Sequence, residues 1–176
     1  VIFFTVTSGA GYGLISLLSL FQFSHYGIFL DKSTFFITAA IAISLFTMGL
    51  ISSTFHLANP KNAWRAFMRF RTSWLAREGL LAILFYPLIF LYLYLTYIDF
   101  QIENFILMQF LSFIIFTFAV VIIYCTGMIY ACLKTIPQWN TFWTPINYIS
   151  IGIFLGGLIF FFILDLYNYE VSLYKS

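Results

Sequence analysis

Charged side chains are scarce in this sequence. Its 176 residues include eight Lys or Arg and six Asp or Glu, so that only 8% of the chain is charged. Because a soluble surface carries about 25–35% charged residues, this scarcity excludes a soluble globular domain. A hydrophobic content of 62% and a mean hydropathy of +0.99 are typical of an integral membrane protein.

The uncharged segments are long enough to cross a bilayer. No Asp, Glu, Lys or Arg occurs in residues 1–30, 33–60, 79–98, 104–133 and 135–164. A helix needs about 20 apolar residues to span the hydrocarbon core. We therefore predict an all-α, polytopic membrane helix bundle that forms one domain over residues 1–176, with five spans near 2–23, 35–56, 79–98, 105–128 and 146–164.

Metal ligands are equally scarce. His25 follows the first predicted span and His56 ends the second, so the two lie at opposite ends of the bundle, about 30 Å apart, and cannot ligate one haem iron together. Cys125 and Cys132 are too far apart along a helix for a disulfide, and two cysteines cannot hold a four-Cys iron–sulfur cluster. We predict no haem, iron–sulfur cluster or metal site in this chain, and no nucleic-acid partner.

Most of the basic residues gather at one end of the predicted bundle. With five crossings, the N-terminus and the segments 57–78 and 129–145 share one membrane face, which we call face A; the opposite end is face B. The positive-inside rule assigns a basic face to the cytoplasm, and tryptophans mark membrane interfaces. Face A carries Glu78, six of the eight basic residues and all four tryptophans: Lys61, Arg65, Arg69, Arg71, Arg77, Lys134, Trp64, Trp74, Trp139 and Trp143.

The basic segment predicts an interfacial amphipathic helix near residues 60–70. Asn59 and Pro60 form a typical helix start, and Lys61, Arg65 and Arg69 then recur every four residues opposite an apolar side. These basic residues, with Arg71, could bind lipid headgroups, set the topology or dock an acidic partner. Thr72 or Ser73 is expected to cap the helix that follows.

Two ionisable residues flank this segment on face A. His56 ends the second predicted span and Glu78 lies at the start of the third. Ionisable residues at membrane depth are functional candidates by default, and this pair could accept the two protons of a quinol. In the structural alternative, Glu78 pairs with Arg77 or Arg71 and His56 donates a hydrogen bond at a helix end. Sequence physics leaves both interpretations open.

Glycines four residues apart occur in the first and fifth spans. Gly9 and Gly13 lie in SGAGYG, and Gly152 and Gly156 lie in IGIFLGGL. Small residues at this spacing let membrane helices approach closely, so we predict close helix packing. Clearance for a planar ring is the alternative.

Three motifs resemble the membrane-anchor subunit family of dimethyl sulfoxide reductase. HLANPKNAWRAF matches the pattern His-Leu-x-x-Pro-x-x-Ala, and SWLARE matches Ser-x-Leu-x-x-Glu. The segment YACLKTIPQWNTFWTPINY matches Thr-x-Pro-x-Trp-x-x-x-Trp-Thr-Pro. The resemblance runs from the first span through the fifth; family members typically have eight helices, so this chain resembles the first part of such a subunit.

The resemblance implies an electron-transfer role in anaerobic respiration. The family's anchor oxidises menaquinol, which is an exchangeable substrate, and passes the electrons to an iron–sulfur subunit that supplies a molybdopterin catalytic subunit. His56 and Glu78 occupy the positions of the family's quinol-site histidine and glutamate. Lys61, Arg65 and Arg69 become candidate docking contacts for the iron–sulfur subunit. The anchor is not itself the catalyst of the terminal reduction.

Two other function classes and one conflict stay open. A purely structural anchor would keep the basic segment without a quinone site, and a transporter subunit would need polar residues near mid-membrane. The resemblance implies a bacterial inner-membrane protein whose face A is periplasmic, whereas the charge count makes face A cytoplasmic. We favour the family arrangement, because docked basic residues need not follow the topogenic rule.

Overall fold

The protein forms a bundle of five long helices in the part of the chain that the structure describes. This computed structural model describes residues 2–23, 30–54, 70–98 and 105–175, in which there is no β-strand. Each helix contains a stretch long and apolar enough to cross a membrane, and the prediction of an all-α membrane bundle is confirmed. The helices are α1 (Ile2–Phe23), α2 (Lys32–Thr54), α3 (Trp74–Ile98), α4 (Phe105–Ala131) and α5 (Trp143–Lys175).

Helix α2 extends further into its charged flank than the sequence predicted. The predicted second span began at residue 35, but α2 begins at Lys32, whose ammonium donates to the carbonyl of Tyr97 (3.0 Å) and lies 4.0 Å from the Tyr97 ring centroid. The uncharged third span begins at residue 79, and α3 begins before it at Trp74, directly after the predicted cap, so that Glu78 lies within the helix. Local partners let charged residues enter the ends of the spans.

The predicted amphipathic helix near residues 60–70 lies outside the described residues. So do both histidines and much of the basic segment: His25, His56, Lys61, Trp64, Arg65 and Arg69.

Helix α1 is the central element of the bundle. It packs against α2, α4 and α5, while α3 packs against α4. A Cβ atom on Gly13 would overlap the carbonyl oxygen of Gly152, and one on Gly156 would overlap the Gly13 backbone. The glycines therefore bring the backbones of α1 and α5 together, which confirms the predicted close packing at Gly13 and Gly156.

The face A turn between α4 and α5 contains the Trp-Pro motif recognised in the sequence. The Asn140 side-chain amide donates to the Ala131 carbonyl (2.6 Å) at the end of α4, and the Thr144 hydroxyl donates to the Trp139 carbonyl (2.7 Å). A Cβ on Gly127 would lie 2.5 Å from the Cα of Pro145. The motif thus ends α4, starts α5 and holds the two helices in contact.

Candidate functional site

The first turn of α3 brings a carboxylate into the protein interior. The Ser73 hydroxyl accepts a hydrogen bond from the Ala76 amide (3.4 Å), and the Ser73 carbonyl accepts from the Arg77 amide (3.2 Å). Ser73 is therefore the residue that caps α3, as one of the two predicted candidates. Glu78 follows after one turn, on the side of α3 that faces the bundle, and only 3% of it is exposed.

The Glu78 carboxylate is held by a threonine of α4. The Thr126 hydroxyl lies 2.5 Å from Glu78 Oε1 and 3.1 Å from the carbonyl oxygen of Ile122. A hydroxyl has one proton to donate but can also accept. When Glu78 is ionised, Thr126 can donate to it; when Glu78 is protonated, Glu78 can donate to Thr126, which then donates to Ile122. The pair therefore accommodates a proton on Glu78 without losing a hydrogen bond.

Arg77 is engaged elsewhere. Its guanidinium donates to the carbonyls of Phe70 (2.9 Å) and Arg71 (2.6 Å) and lies 4.2 Å from the ring centroid of Trp74. Arg71 is exposed. Within the described residues, Glu78 therefore forms no ion pair with Arg77 or Arg71. The hydrogen bond with Thr126 holds its carboxylate instead.

A cavity of about 200 Å³ lies beside Thr126, in the half of the bundle nearer face A. Its walls come from α1, α4 and α5. Its buried polar lining side chains include Ser8, Tyr12 and Thr126. Val6 and Ile151 also line the cavity and are exposed on the outside of the bundle. The cavity is therefore open at the outer surface of the described five-helix bundle.

Tyr12 of α1 has a buried hydroxyl without a hydrogen-bond partner. Its ring stacks on Phe46 of α2 (centroids 4.8 Å apart) and meets the edge of Phe85 of α3 (5.7 Å). Only 1% of Tyr12 is exposed, and its hydroxyl is the one buried side-chain polar atom in the described part of the chain without a hydrogen bond. Glu78 is close enough to interact with Tyr12 electrostatically.

The described tryptophans lie around this end of the bundle. Trp74 is half-buried and meets Tyr124 edge-on (5.9 Å), and Trp139 meets Tyr130 edge-on (5.4 Å). Trp143 is exposed beside Phe142. Their role as interfacial anchors stays a prediction. No cluster of three or more metal-binding side chains occurs among the residues that the structure describes.

Thr126 and Tyr12 are among the polar residues of this site that the sequence analysis did not single out. Thr126 lies in a long apolar segment, and a single threonine in a membrane helix is too common to indicate a site. Tyr12 is flanked by Gly11 and Gly13 in the segment that was interpreted through its glycines alone. A large ring between two glycines was the available signal, since small neighbours leave room for an aromatic side chain to reach across the bundle.

Comparison with known proteins assigns the chain to a family. The sequence model of the DMSO reductase anchor subunit (DmsC) family matches residues 1–175. The chain belongs to this family. The resemblance inferred from the three motifs is thereby confirmed, and the chain is a multi-pass membrane protein of the anchor-subunit type.

One curated relative of this DMSO reductase anchor family protein belongs to a sulfite dehydrogenase. The chain is 30% identical over 173 residues to a sulfite dehydrogenase subunit of Allochromatium vinosum. The match covers 90% of this chain and 52% of the relative, so the chain spans about half the length of that protein. No solved structure matches the chain significantly.

Proposed function

We propose that this protein is the quinol-oxidising membrane anchor of a respiratory molybdopterin oxidoreductase. It binds menaquinol in the half of the bilayer nearer face A and passes the electrons to an iron–sulfur partner subunit, which supplies a molybdopterin catalytic subunit. The complex lies in the bacterial plasma membrane, with the partner subunits on face A. The chain itself does not carry out the terminal reduction.

The observation that carries this proposal is the burial of Glu78 inside a membrane span. A carboxylate in this environment is costly and marks a functional site by default. Glu78 is 3% exposed, is held by one hydroxyl rather than by an arginine, and lies at the C-terminal end of the basic segment in the sequence. Membership of an anchor-subunit family supports the same role.

The chemistry balances with two proton acceptors and one electron acceptor. Oxidation breaks both O–H bonds of the quinol and yields the quinone, two protons and two electrons. The protons go to the Glu78 carboxylate and the His56 imidazole and then to water at face A. The electrons go one at a time to the nearest cluster of the iron–sulfur subunit.

The basic segment supplies the contact with the partner. Lys61, Arg65, Arg69 and the exposed Arg71 precede α3 in the sequence and carry positive charge. Electrostatic complementarity of this kind speeds docking and fixes its orientation. Anionic lipid headgroups are the other ligand of the same charges.

The sulfite dehydrogenase relative favours a second candidate in which electrons flow the other way. A dehydrogenase withdraws electrons from its substrate, so that its membrane subunit would reduce a quinone. The same site would then deliver protons from Glu78 and His56 to the quinone oxygens. Substrate-dependent quinone reduction, compared with quinol-dependent reduction of a sulfoxide in the same membranes, distinguishes the two directions.

A binding titration tests the site in either direction. We would titrate a fluorescent quinol-analogue inhibitor into membranes that contain the assembled complex, and measure menadiol oxidation in parallel. Because a positioned acid–base group contributes about 10²–10⁴-fold to rate, we expect Glu78→Gln to lower turnover by roughly 100-fold. His56→Ala is expected to weaken both inhibitor binding and turnover.

Asp165→Asn is the matched control. Asp165 is an exposed carboxylate on α5, near face B, and its loss should leave both measurements at the wild-type level. If Glu78→Gln and His56→Ala both keep wild-type inhibitor binding and turnover, the protein is a structural anchor without a quinol site.

A further inference from the structure

The hydroxyl of Thr126 differs from the other helix hydroxyls in where it is directed. A Ser or Thr hydroxyl inside a membrane helix commonly donates to the carbonyl four residues earlier. At Thr126 the distance to that carbonyl, of Ile122, is 3.1 Å, whereas Glu78 Oε1 lies at 2.5 Å. Five other hydroxyls of the bundle bond their own helix at 2.7–2.8 Å, those of Thr38, Ser44, Thr96, Ser112 and Thr117. The Thr126 hydroxyl is therefore placed for the carboxylate rather than for its own helix.

The distance between Thr126 and Glu78 is that of a charge-assisted hydrogen bond. A hydroxyl that donates to an ionised carboxylate lies at about 2.5–2.7 Å, whereas neutral O–H···O bonds centre on about 2.7–2.8 Å. Both residues are buried, Glu78 at 3% exposure and Thr126 at 5%. A hydrogen bond is stronger in such a low-dielectric interior than in water, so this single contact can fix the carboxylate in place.

Thr126 ties the position of the carboxylate to the packing of two helices. A glutamate side chain has several rotatable bonds, and the adjacent Arg77 does not restrain it, because its guanidinium bonds the carbonyls of Phe70 and Arg71. The hydroxyl comes instead from α4, 48 residues away in the chain. A group that accepts a proton must be held at the right distance and angle, and small displacements lower the rate strongly.

We propose that Thr126 is a positioning residue for proton transfer at Glu78. This inference rests on the proposed quinol chemistry of Glu78 and adds to it the residue that sets the place of the proton acceptor. In the transfer, the O–H bond of the donor breaks and an O–H bond on Glu78 forms. Thr126 neither gains nor loses a proton: it donates to the ionised carboxylate, and it can turn to the Ile122 carbonyl once Glu78 carries the proton.

Removal of the hydroxyl should act on turnover rather than on substrate binding. We would measure kcat and KM for menadiol, per assembled complex, in membranes. Thr126→Val keeps the branched shape of the side chain, and we expect kcat to fall about tenfold, or about 1.4 kcal/mol, with KM nearly unchanged. Thr126→Ser keeps the hydroxyl and should retain most of the wild-type kcat. A wild-type kcat in Thr126→Val, or a rise in KM alone, would overturn the assignment.

A graded variant covers the case in which Thr126→Val does not assemble. A thiol is a weaker hydrogen-bond donor than a hydroxyl, so Thr126→Cys should give a kcat below that of Thr126→Ser. Equal kcat values in these two variants would contradict the positioning role, because the strength of the donor would then be irrelevant.

Thr96→Val is the matched control. Thr96 is also a buried threonine, but its hydroxyl bonds the Tyr92 carbonyl of its own helix (2.8 Å). Its loss should leave kcat at the wild-type level. An equal fall of kcat in Thr96→Val and Thr126→Val would indicate a general effect of removing a buried hydroxyl from the bundle.

A double-mutant cycle separates positioning from a purely structural role. If Thr126 acts through Glu78, adding Thr126→Val to Glu78→Gln should cause no further fall in kcat, since residues that act as a unit are not additive. A structural role would lower kcat by the same factor in both backgrounds and would refute the inference.

Failure of this inference and failure of the proposed function give different results. If Glu78→Gln lowers turnover while Thr126→Val keeps the wild-type kcat, Glu78 accepts protons without help from Thr126, and only the positioning role fails. If Glu78→Gln itself keeps wild-type turnover, the proposed function fails, and the positioning role fails with it.

Discussion

The two halves of the bundle treat buried polar groups differently. In the face B half, the hydroxyl of Tyr92 receives a hydrogen bond from Ser112 (3.4 Å), and the Gln109 side chain donates to the end of α1 at the Phe23 carbonyl (3.1 Å). In the face A half, Tyr12 has no partner and Glu78 has a single hydroxyl. Among the described residues, the buried polar side-chain atoms of the face B half have hydrogen-bond partners, whereas the Tyr12 hydroxyl has none.

This difference matches a division between structure and chemistry. Unsatisfied polar groups in lipid cost stability, so a fold retains them only where they serve another purpose. The boundary lies near Gly13, where α1 and α5 touch backbone to backbone. Towards face A the contact of α1 with α5 is looser at Gly9, where a Cβ would lie 3.9 Å from the Gly152 Cα, and the cavity lies beside it. Substitutions on the two sides of that boundary should therefore change the stability of the protein to different extents.

Gly13→Ala should produce the largest loss of stability. Its Cβ would overlap the Gly152 carbonyl, so that the helices must separate; overpacking of this kind costs about 3 kcal/mol. Gly9→Ala meets no atom closer than 3.9 Å and should be neutral or slightly stabilising, since alanine favours helix. Thermal unfolding of the purified protein in detergent measures both. Equal effects of the two changes on the unfolding temperature would show that α1 and α5 pack equally closely at Gly13 and at Gly9.

Thr126→Val should be the next most damaging change. It leaves the buried Glu78 carboxylate without the 2.5 Å hydrogen bond, at a cost of about 2 kcal/mol. Thr96→Val is the matched control in the face B half, because the Thr96 hydroxyl bonds only the Tyr92 carbonyl of its own helix (2.8 Å). We expect Thr126→Val to unfold at a clearly lower temperature than Thr96→Val. The reverse order would mean that Glu78 finds another partner.

The two buried tyrosines should respond in opposite ways to loss of the hydroxyl. Tyr92→Phe removes the contact with Ser112 and should destabilise the protein by about 0.5 kcal/mol. Tyr12→Phe removes an unpartnered hydroxyl and should leave the unfolding temperature unchanged or raise it. Destabilisation by Tyr12→Phe without any quinol analogue present would show that its hydroxyl has a structural partner.

The smallest effect concerns the start of α2 near face B. The Ser33 hydroxyl and the Ser33 amide (3.2 Å) donate to the Asp31 carboxylate, and the hydrogen bond from the Ser33 side chain lowers the pKa of Asp31 below its usual 3.8. The stabilisation is therefore fully present above pH 3.8 and is lost as the pH falls through the lowered pKa.

Asp31→Ala should accordingly lower the unfolding temperature at pH 7 but have less effect in strong acid. Asp31→Asn keeps a capping oxygen and should lose less stability at neutral pH than Asp31→Ala. A difference between wild type and Asp31→Ala that stays constant from pH 7 to pH 2 would exclude this carboxylate as the cause.

The positions of the helices could be predicted because, in a membrane, each span is determined by its own stretch of sequence. Apolar length identifies a span, since only a helix satisfies its own backbone in lipid. The cap at Ser73 and the glycine contact between α1 and α5 were likewise predictable from short segments. The partner of Glu78 could not be predicted, because the sequence does not reveal that Thr126 of α4 meets the first turns of α3.

The five helices, the scarcity of metal ligands in the chain and the family all follow from the order of the amino acids alone. Two features emerge only when the helices pack: Thr126 of α4 holds Glu78 of α3, and Tyr12 of α1 lines the adjacent cavity. The physical reason is the uniformity of membrane helices. In water an apolar stripe shows which side of a helix is buried, but in lipid every side is apolar. Packing of small residues and rare polar contacts then selects the neighbours, and these contacts join residues far apart in the chain.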